Sequence, residues 1–182
     1  MHENRPGTAR ERLLAAALDL FAEHGVSGTS LQMIADRLGV TKAAVYHQFP
    51  TKDEIVLAVI DPALERLEPI AEHAEAQRGH TARRDTVLAG VVDLVVEYRR
   101  VSSTLSFDPV VVRLVRSHHA LRSLQRIRRL LGGTAPDPGS RVRMAVLSGG
   151  LIMAGADPAV AGLDDEDFRD HLLAAARRIL RG

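Results

Sequence analysis

Residues 30–49 of this 182-residue chain read SLQMIADRLGVTKAAVYHQF. Apolar residues in this stretch recur at three- and four-residue steps, which predicts two short helices joined by a tight turn at residues 38–40. Ala35 is small enough to let the two helices cross closely, and Gly39 can adopt the left-handed backbone conformation that a sharp turn needs. The stretch therefore predicts a helix-turn-helix.

The second of these helices has an outward face of unusual composition. Once Val45 and Phe49 point inward, the opposite face carries a cation, a small residue, an aromatic hydroxyl and an imidazole. These four residues are Lys42, Ala43, Tyr46 and His47. Small residues permit close approach, and polar ones reach phosphates and base edges, so the face suits the major groove of DNA.

The whole chain predicts an all-α fold of about nine helices, because no stretch alternates cleanly over strand length. Pro62 and Pro69 are expected to kink or break the fourth helix. The first predicted helix starts at a Thr8–Glu11 capping box and ends at Gly25, the second runs from Thr29-Ser30 to Gly39, and the third runs from Val40-Thr41 to Phe49-Pro50. The fourth starts at a Thr51–Glu54 capping box, the fifth covers 82–101, and the sixth starts at Asp108-Pro109. The seventh runs from Ser117 to Gly132-Gly133, the eighth covers 140–155, and the ninth starts at Asp164.

Composition excludes several classes of protein. The chain has no cysteine, which excludes a disulfide scaffold, a cysteine-ligated metal centre and a cysteine nucleophile. Its 24 basic and 23 acidic residues give a net charge of +1, so a histone-like sheath around nucleic acid is not expected. Residues 1–5 are polar, and no window approaches the apolar length of about 18 residues that a bilayer requires. We therefore expect no secretory signal, no membrane span and a cytoplasmic location.

Residues 8–60 resemble the DNA-binding region of the TetR family of bacterial transcriptional regulators. The resemblance rests on LFAEHG at 20–25, Thr29-Ser30, Ile34-Ala35, Leu38-Gly39-Val40, Ala44-Val45-Tyr46, Phe49 and Lys52-Asp53-Glu54. It implies a flexible arm at 1–7, a helix-turn-helix domain at 8–55 and an effector-binding and dimerisation domain at 56–182.

The resemblance also implies which residues contact DNA. The family binds palindromic operators as homodimers, with the two recognition helices in successive major grooves. By motif position, Tyr46 and Lys52 are the expected phosphate contacts, and Lys42 and His47 the expected base contacts. The full set of expected DNA contacts is Ser30, Gln32, Lys42, Ala43, Ala44, Tyr46, His47 and Lys52. An alternative for Tyr46 is a packing role at the corner between the third and fourth helices.

The last two predicted helices are expected to form the dimer interface. Residues 144–155 are apolar nearly all round, and such a helix needs cover on every side. The final helix has one apolar stripe. The expected interface residues are Leu147, Gly150, Leu151, Phe168, Leu172, Ala176 and Ile179. The alternative is that these residues form an intramolecular core.

A small-molecule effector is expected in the C-terminal helices, since that is where the family binds one. The expected pocket residues are Asp93, Tyr98, Phe107, His118, Met144 and Met153. Most residues of these types are simply core, and Asp93 also aligns with a polar helix face. We expect no cofactor and no metal, because adjacent histidines such as His118 and His119 point about 100° apart on a helix.

Residues 113–143 hold eight arginines against one acidic residue, Asp137. Arg122, Arg126 and Arg129 share one helical face. One interpretation is a solvated face paired with acids elsewhere. The other is a site for an anionic ligand or an acidic partner.

The sequence thus predicts a DNA-binding transcriptional regulator, a repressor released from its operator by a small-molecule effector. The alternative is a corepressor-dependent or architectural DNA-binding protein without an inducer. An enzyme is not expected, because the chain has no Gly-x-Ser-x-Gly, no phosphate-binding loop and no His-Glu-x-x-His.

Overall fold

The computed structural model describes residues 8–105, 107–134, 136–155 and 157–181. Within these ranges all regular secondary structure is helical, which confirms the predicted fold class; the expected arm at 1–7 lies outside them. The helices are α1 (Ala9–Gly28), α2 (Leu31–Leu38), α3 (Lys42–Gln48), α4 (Lys52–Glu65), α5 (Leu67–Glu75), α6 (His80–Glu97), α7 (Arg99–Leu105), α8 (Pro109–Ser117), α9 (Leu121–Gly132), α10 (Pro138–Ala154) and α11 (Asp165–Arg181), with a 3₁₀ turn at Pro158–Val160. None of these helices is long and apolar enough to cross a bilayer.

Local capping explains why the first helices begin where the sequence predicts. Thr8 and Glu11 form the capping box: the Thr8 N–H donates to Glu11 Oε2 at 2.8 Å, and the Glu11 N–H donates to Thr8 Oγ1 at 3.1 Å. Thr51 Oγ1 accepts from the Glu54 N–H at 3.2 Å and starts α4. Asp108 does the same for α8, where Pro109 occupies the first helical position.

Two predicted helices are each divided in the structure. The predicted fourth helix ends at Glu65, and α5 begins one residue after Arg66. Pro62 lies inside α4 and does not end it, whereas Pro69 lies in the first turn of α5, and its ring crowds the carbonyl four residues earlier, that of Glu65, where α4 ends. The predicted helix over 82–101 is interrupted at Tyr98, whose φ of −107° and ψ of 26° are not helical. Apolar periodicity continues across both breaks, so Pro69 predicts the first break and the apolar pattern does not reveal the second.

The start of α9 also differs from the prediction. Ser117 does not cap it; Ser117 is the last residue of α8, and its Oγ donates to the Leu114 carbonyl at 3.0 Å. A turn that contains His118 and His119 follows, and α9 begins at Leu121 without a side-chain cap.

The helices enclose two hydrophobic cores. The first is built from α1 to α4 and also takes Leu105, Val111 and Leu114 from α7 and α8. The second joins α5, α6, α9, α10 and α11. The first core thus extends past the predicted domain boundary at residue 55, because residues of α7 and α8 complete the hydrophobic core of the helix-turn-helix domain.

The turn between α2 and α3 has the predicted geometry. Gly39 is left-handed, with φ of 65° and ψ of 32°, and its N–H donates to the Asp36 carbonyl at 3.2 Å. Ile34, Ala35 and Val45 are fully buried where the two helices cross. The small side chain at position 35 therefore sets how closely α3 approaches α2.

We predict that Gly39→Ala lowers the free energy of unfolding by about 1–2 kcal/mol, because an L side chain is strained in the left-handed conformation. A Cβ at this position would meet no atom within 4 Å, so the loss comes from backbone strain alone. Urea denaturation measures it. Gly162→Ala is the matched control, since its Cβ also meets no atom and its φ is ordinary. Equal stability of the two variants would contradict the strain argument.

Candidate nucleic-acid interface

The outer face of α3 presents the predicted residues to solvent. Lys42, Ala43, Tyr46 and His47 are all exposed, whereas Val45 on the inner face is fully buried. The Tyr46 side chain is 44% exposed, which does not fit the alternative of a packing residue. The structure thus brings these four side chains together on one surface.

Two contacts organise this face. Thr41 Oγ1 accepts from the Ala44 N–H at 3.2 Å and fixes the start of α3. Lys42 follows Thr41 directly, and its ammonium lies 5.5 Å from the centre of the ring of Tyr46, one turn further along α3, within the range of a cation–π contact. The cation and the phenol are therefore neighbours on the exposed surface.

Ser30 and Gln32 lie at the start of α2, and both are exposed. The Ser30 Oγ accepts from the Met33 N–H at 3.2 Å, so this side chain caps α2. The Gln32 Nε2 donates to Asp36 Oδ1 at 2.7 Å along the same helix. Both side chains have a local structural partner in addition to the predicted role.

The Lys52 side chain makes contacts within the protein that the sequence did not predict. Its Nζ donates to the carbonyl oxygens of Val26 at 2.6 Å, Thr29 at 2.9 Å and Ser27 at 3.3 Å. An ammonium group has three donors, and all three are engaged by backbone. In this structure no donor remains for a phosphate, so the predicted phosphate contact is replaced by a capping role at the end of α1.

The segment that Lys52 holds also connects to the C-terminal helices. The Val26 N–H donates to Asp108 Oδ2 at 3.2 Å, and Asp108 Oδ1 accepts from the Val110 N–H at 2.8 Å. Val26 is fully buried, and its carbonyl is the closest partner of Lys52. We call the contacts of Lys52 and Asp108 with Val26 the Val26 junction.

Ion pairs hold the same elements together at the surface. Arg113 of α8 lies 2.9 Å from Asp53 of α4, and Arg100 of α7 pairs with Asp19 of α1. Arg37 of α2 lies 2.8 Å from Glu23 of α1, and this hydrogen bond lowers the pKa of the Glu23 carboxyl. These pairs are exposed, so each adds little stability and mainly fixes orientation.

Two basic residues beside α3 were missed by the sequence analysis. Arg12 lines a groove of about 90 Å³ between α1 and α3, together with Val40, Ala44 and Gln48. The Arg10 guanidinium lies 5.0 Å from the centre of the Phe49 ring at the end of α3. The signal was present, because both arginines lie in the first turns of α1. That α1 begins next to α3 emerges only from the packing.

The predicted dimer residues need a correction. Leu147, Leu151, Phe168, Leu172 and Ala176 are buried within the protomer's own second core, so they are not available to a partner. The intramolecular alternative therefore applies to these five residues. Gly150 is exposed, and Ile179 is half-buried against the same core.

The exposed apolar face of α10 lies elsewhere. Val142, Val146 and Met153 are 64%, 56% and 48% exposed, and their spacing puts them on one side of the helix with Gly149 and Gly150. The exposed side of α11 includes Ala174 and Ala175. These residues, rather than the buried stripe, are the ones that a second protomer can reach.

The six predicted pocket residues occupy different environments. Met144 is buried and lines a cavity of about 150 Å³, whereas Phe107 is 58% exposed and Met153 is also at the surface. Asp93 is exposed and lies 2.5 Å from Arg169, which has a raised pKa because of this carboxylate.

Tyr98 is half-buried where α6 ends, and His118 has partners for both ring nitrogens. The His118 Nδ1 accepts from the Ala120 N–H at 3.2 Å, and its Nε2 lies 3.2 Å from Asp61 Oδ1. The structure thus does not gather the six predicted residues around Met144.

Part of the arginine-rich segment is paired with acids, as one of the two interpretations predicted. Arg126 donates to both Glu75 oxygens, at 3.0 and 2.6 Å, and pairs with Glu68. Hydrogen bonds from Ser123 and Arg126 lower the pKa of Glu68, and the hydrogen bond from Arg126 lowers that of Glu75. These contacts join α9 to α5.

Comparison with known proteins identifies the family. The family model for bacterial regulatory proteins of the tetR family matches residues 13–59, which contain the whole helix-turn-helix. The N-terminal part of the chain is thus similar to the DNA-binding domain of the TetR family. This is a family of regulators rather than enzymes, which confirms the prediction that the chain is not an enzyme.

Curated relatives also match the N-terminal part of this chain. The transcriptional repressor KstR2 of Mycolicibacterium smegmatis is 33% identical over 64 residues, which cover 35% of this chain and 31% of that protein. The transcriptional regulator RutR of Escherichia coli is 38% identical over 56 residues, which cover 31% of this chain and 26% of that protein. The matched segments thus span less than a third of either relative's length.

Solved structures extend the likeness in fold to the whole chain. PfmR of Thermus thermophilus, a TetR family transcriptional regulator, has a TM-score of 0.67 at 23% identity and covers 94% of this chain and 98% of its own. The ketosteroid transcriptional regulator KstR2 of Mycobacterium tuberculosis has a TM-score of 0.71 at 16% identity, with coverages of 98% and 96%. The C-terminal helices therefore share a TetR-like fold.

We predict that Lys52→Met lowers the free energy of unfolding by about 1–3 kcal/mol, because three carbonyl oxygens at the end of α1 lose their charged donor. The methionine keeps most of the apolar stem. Urea denaturation measures the loss. Lys42→Met is the matched control, since that lysine is exposed and should change stability by less than about 0.5 kcal/mol. A Lys52→Met protein as stable as the control would contradict the capping role.

Proposed function

We propose that this TetR-family chain is a DNA-binding transcriptional regulator, a repressor that holds a palindromic operator as a homodimer. The observation that carries the proposal is the exposed face of α3, where Lys42, Ala43, Tyr46 and His47 stand on a helix fixed by two caps and a buried inner face. A helix presented in this way fits the width of a major groove. Such a regulator acts in the cytoplasm, where bacterial DNA is.

Within this interface we assign different tasks to different residues. Lys42 and His47 read base edges, Tyr46 contacts a phosphate, and the alanines at 43 and 44 let the helix lie deep in the groove. Arg10 and Arg12 add phosphate contacts at one side of α3. Ser30 and Gln32 approach the backbone from the start of α2. Lys52 supports the interface from behind through the Val26 junction.

For the dimer we propose the exposed face of α10. Val142, Val146 and Met153 form an apolar strip, and Gly149 and Gly150 let a partner helix approach closely. An isologous interface pairs this strip with its own copy across a twofold axis. The same axis would relate the two α3 helices and match the symmetry of a palindrome.

Release by a small-molecule effector is the remaining part of the proposal. The dimer has one conformation in which the two α3 helices fit the operator and another in which their spacing does not fit. An effector that binds the second conformation more tightly lowers DNA affinity, by an amount set by the difference between its affinities for the two conformations. The Val26 junction offers a route, because Asp108 at the start of α8 contacts the end of α1 directly. The alternative is a corepressor-dependent or architectural DNA-binding protein, and a small molecule that strengthens DNA binding would favour it.

The proposed function is tested by selecting binding sites from random duplex DNA with the purified full chain. We expect a palindrome with half-sites about one helical turn apart or somewhat more. Two variants sharpen the selection. Lys42→Met should relax the preference at one position of each half-site, at a cost of about 1–3 kcal/mol. Arg12→Gln should weaken binding to all sequences alike and reduce the salt slope by about 1 for each protomer bound.

The capping lysine provides the control for this experiment. A folded Lys52→Met protein should select the same palindrome with the same salt slope as the unmodified chain. Selection of no sequence, with or without candidate corepressors from cell extract, would overturn sequence-specific binding. A Lys42→Met protein with unchanged base preference would remove Lys42 from the interface.

We predict that Val146→Glu weakens self-association by about 100-fold or more, because a carboxylate would be buried against the partner helix. Sedimentation velocity should show a dimer for the unmodified chain and a monomer for the variant. Val112→Glu on α8 is the matched control, since Val112 is also an exposed valine but lies outside the proposed interface. A monomeric unmodified chain, or equal effects of the two substitutions, would contradict the α10 interface.

A further inference from the structure

A basic cavity lies where α6 begins and α11 ends. It has a volume of about 150 Å³, and its polar lining consists of His80 and Arg84 of α6 and Ser140 and Arg143 of α10. Among the described residues, no aspartate or glutamate lines it. The cavity adjoins a groove of about 430 Å³, and His80 and Gly133 line both.

The groove adds two further guanidinium groups, those of Arg83 and Arg129. The part of the groove lining that the structure describes likewise contains no acidic residue. The cavity and the groove, together called the basic site, therefore place four arginines and a histidine around one continuous space. The positive potential of several arginines around one space favours the binding of an anion.

The described contacts of these arginines are mainly with neutral oxygens. Arg83 Nε donates to the Gln77 carbonyl at 2.9 Å, and Arg84 Nη1 to the Leu180 carbonyl at 3.4 Å. Arg143 Nη2 donates to Ser140 Oγ at 2.8 Å. Because each guanidinium has five N–H donors, Arg83 and Arg84 keep donors for a ligand.

Two carboxylates lie near the basic site, and each interacts with arginines of the site. Arg126 lowers the pKa of Glu75 by hydrogen bonding to it, with smaller contributions from the charges of Arg129 and Arg83. Hydrogen bonds from Ser140 are the main cause of the lowered pKa of Asp137, and Arg143 adds to it. Glu75 and Asp137 therefore offset part of the positive charge of the site, and the described partner of Arg84 is a neutral backbone carbonyl.

Apolar side chains form another part of the lining. Leu131, Met144 and Leu180 line the cavity, and Leu130 lines the groove. A ligand of this site would thus meet arginines on one side and aliphatic side chains on the other. This pattern suits a small molecule with an anionic group and an apolar part.

The basic site is remote from the proposed DNA interface. It lies at the first residues of α6, an 18-residue helix that extends for about 27 Å at a rise of about 1.5 Å per residue. The other end of α6 leads into α7, the helix that packs on α1. Operator phosphates held at α3 therefore do not reach these arginines.

We propose that the basic site binds a small phosphate monoester with an apolar substituent. The arginine fork matches two phosphate oxygens at once, and several such forks suit a group that carries up to two negative charges. The apolar substituent packs against Leu131, Met144 and Leu180. The proposal is independent of the proposed DNA binding, and its test contains no DNA.

The test is titration calorimetry of the full chain with phenyl phosphate and with inorganic phosphate, at constant ionic strength set by chloride. We expect phenyl phosphate to bind one site per protomer and more tightly than inorganic phosphate. The double variant Arg84→Gln/Arg129→Gln should bind phenyl phosphate at least about tenfold more weakly, because two charged donors are lost. Arg129→Gln alone should show a smaller loss in the same direction.

The matched control is Arg116→Gln/Arg128→Gln, which removes two exposed arginines of α8 and α9 outside the basic site. It should bind phenyl phosphate as the unmodified chain does. Circular dichroism checks that each variant is folded, and if the double variant is not, the exposed Arg129→Gln variant decides alone. Absence of binding, an equal loss in the control, or inorganic phosphate binding as tightly as phenyl phosphate would each overturn the proposal.

Discussion

The carbonyl oxygens at the end of α1 set the constraint on which the rest of the molecule depends. A helix end leaves carbonyl groups without intrahelical partners, and here Val26 at this end and Thr29 just after it are buried. Lys52 donates to three carbonyls at and just after this end, and the Thr29 hydroxyl, with its one hydrogen, lies within hydrogen-bond distance of the carbonyls of Leu20 and Gly25. Because Lys52 is the first residue of α4, satisfying these groups also fixes where α4 starts. The orientation of α2 and α3 therefore depends on the hydrogen bonds that satisfy the carbonyl groups at the end of α1.

This arrangement separates support from recognition. Side chains that build the interface from behind, such as Lys52 and Val45, make buried or backbone contacts. Side chains on the outer face of α3 have few partners within the protein and are available to a ligand. The second core is organised in the same way: its apolar residues are buried inside the protomer, and the exposed apolar strip of α10 consists of other residues. In each case the residues that hold the fold differ from those that face outward.

Much of the fold could be predicted from sequence because the signals are local. Capping residues lie within three positions of the N–H groups they satisfy, and a turn glycine acts on its own backbone, so Thr8, Thr51 and Gly39 were readable. The outer face of α3 followed from its helical period. Lys52 was misjudged because its partners lie 23–26 residues away and are backbone atoms, which carry no sequence signature.

The dimer residues were misjudged for a related reason. The strongest apolar stripe of a helix marks what it buries, and sequence does not tell a protomer's own core from a partner's surface. Leu147 and Phe168 follow that stripe into the core, while the weaker strip at Val142 and Val146 remains outside. The two arginines beside α3 and the basic site depend on which helix ends meet, and that is a property of the tertiary packing.

The shared first core has a consequence for engineering. The family match ends at residue 59, which invites exchange of the DNA-reading segment as a cassette between regulators. Yet Leu105, Val111 and Leu114 complete the hydrophobic core of that segment, and Asp108 accepts its Val26 N–H. A chimera joined near residue 60 would keep the recognition surface, but residues of the other regulator would replace those of α7 and α8 in the core beneath it. The portable unit of this chain is therefore discontinuous: α1 to α4 together with the α7–α8 corner.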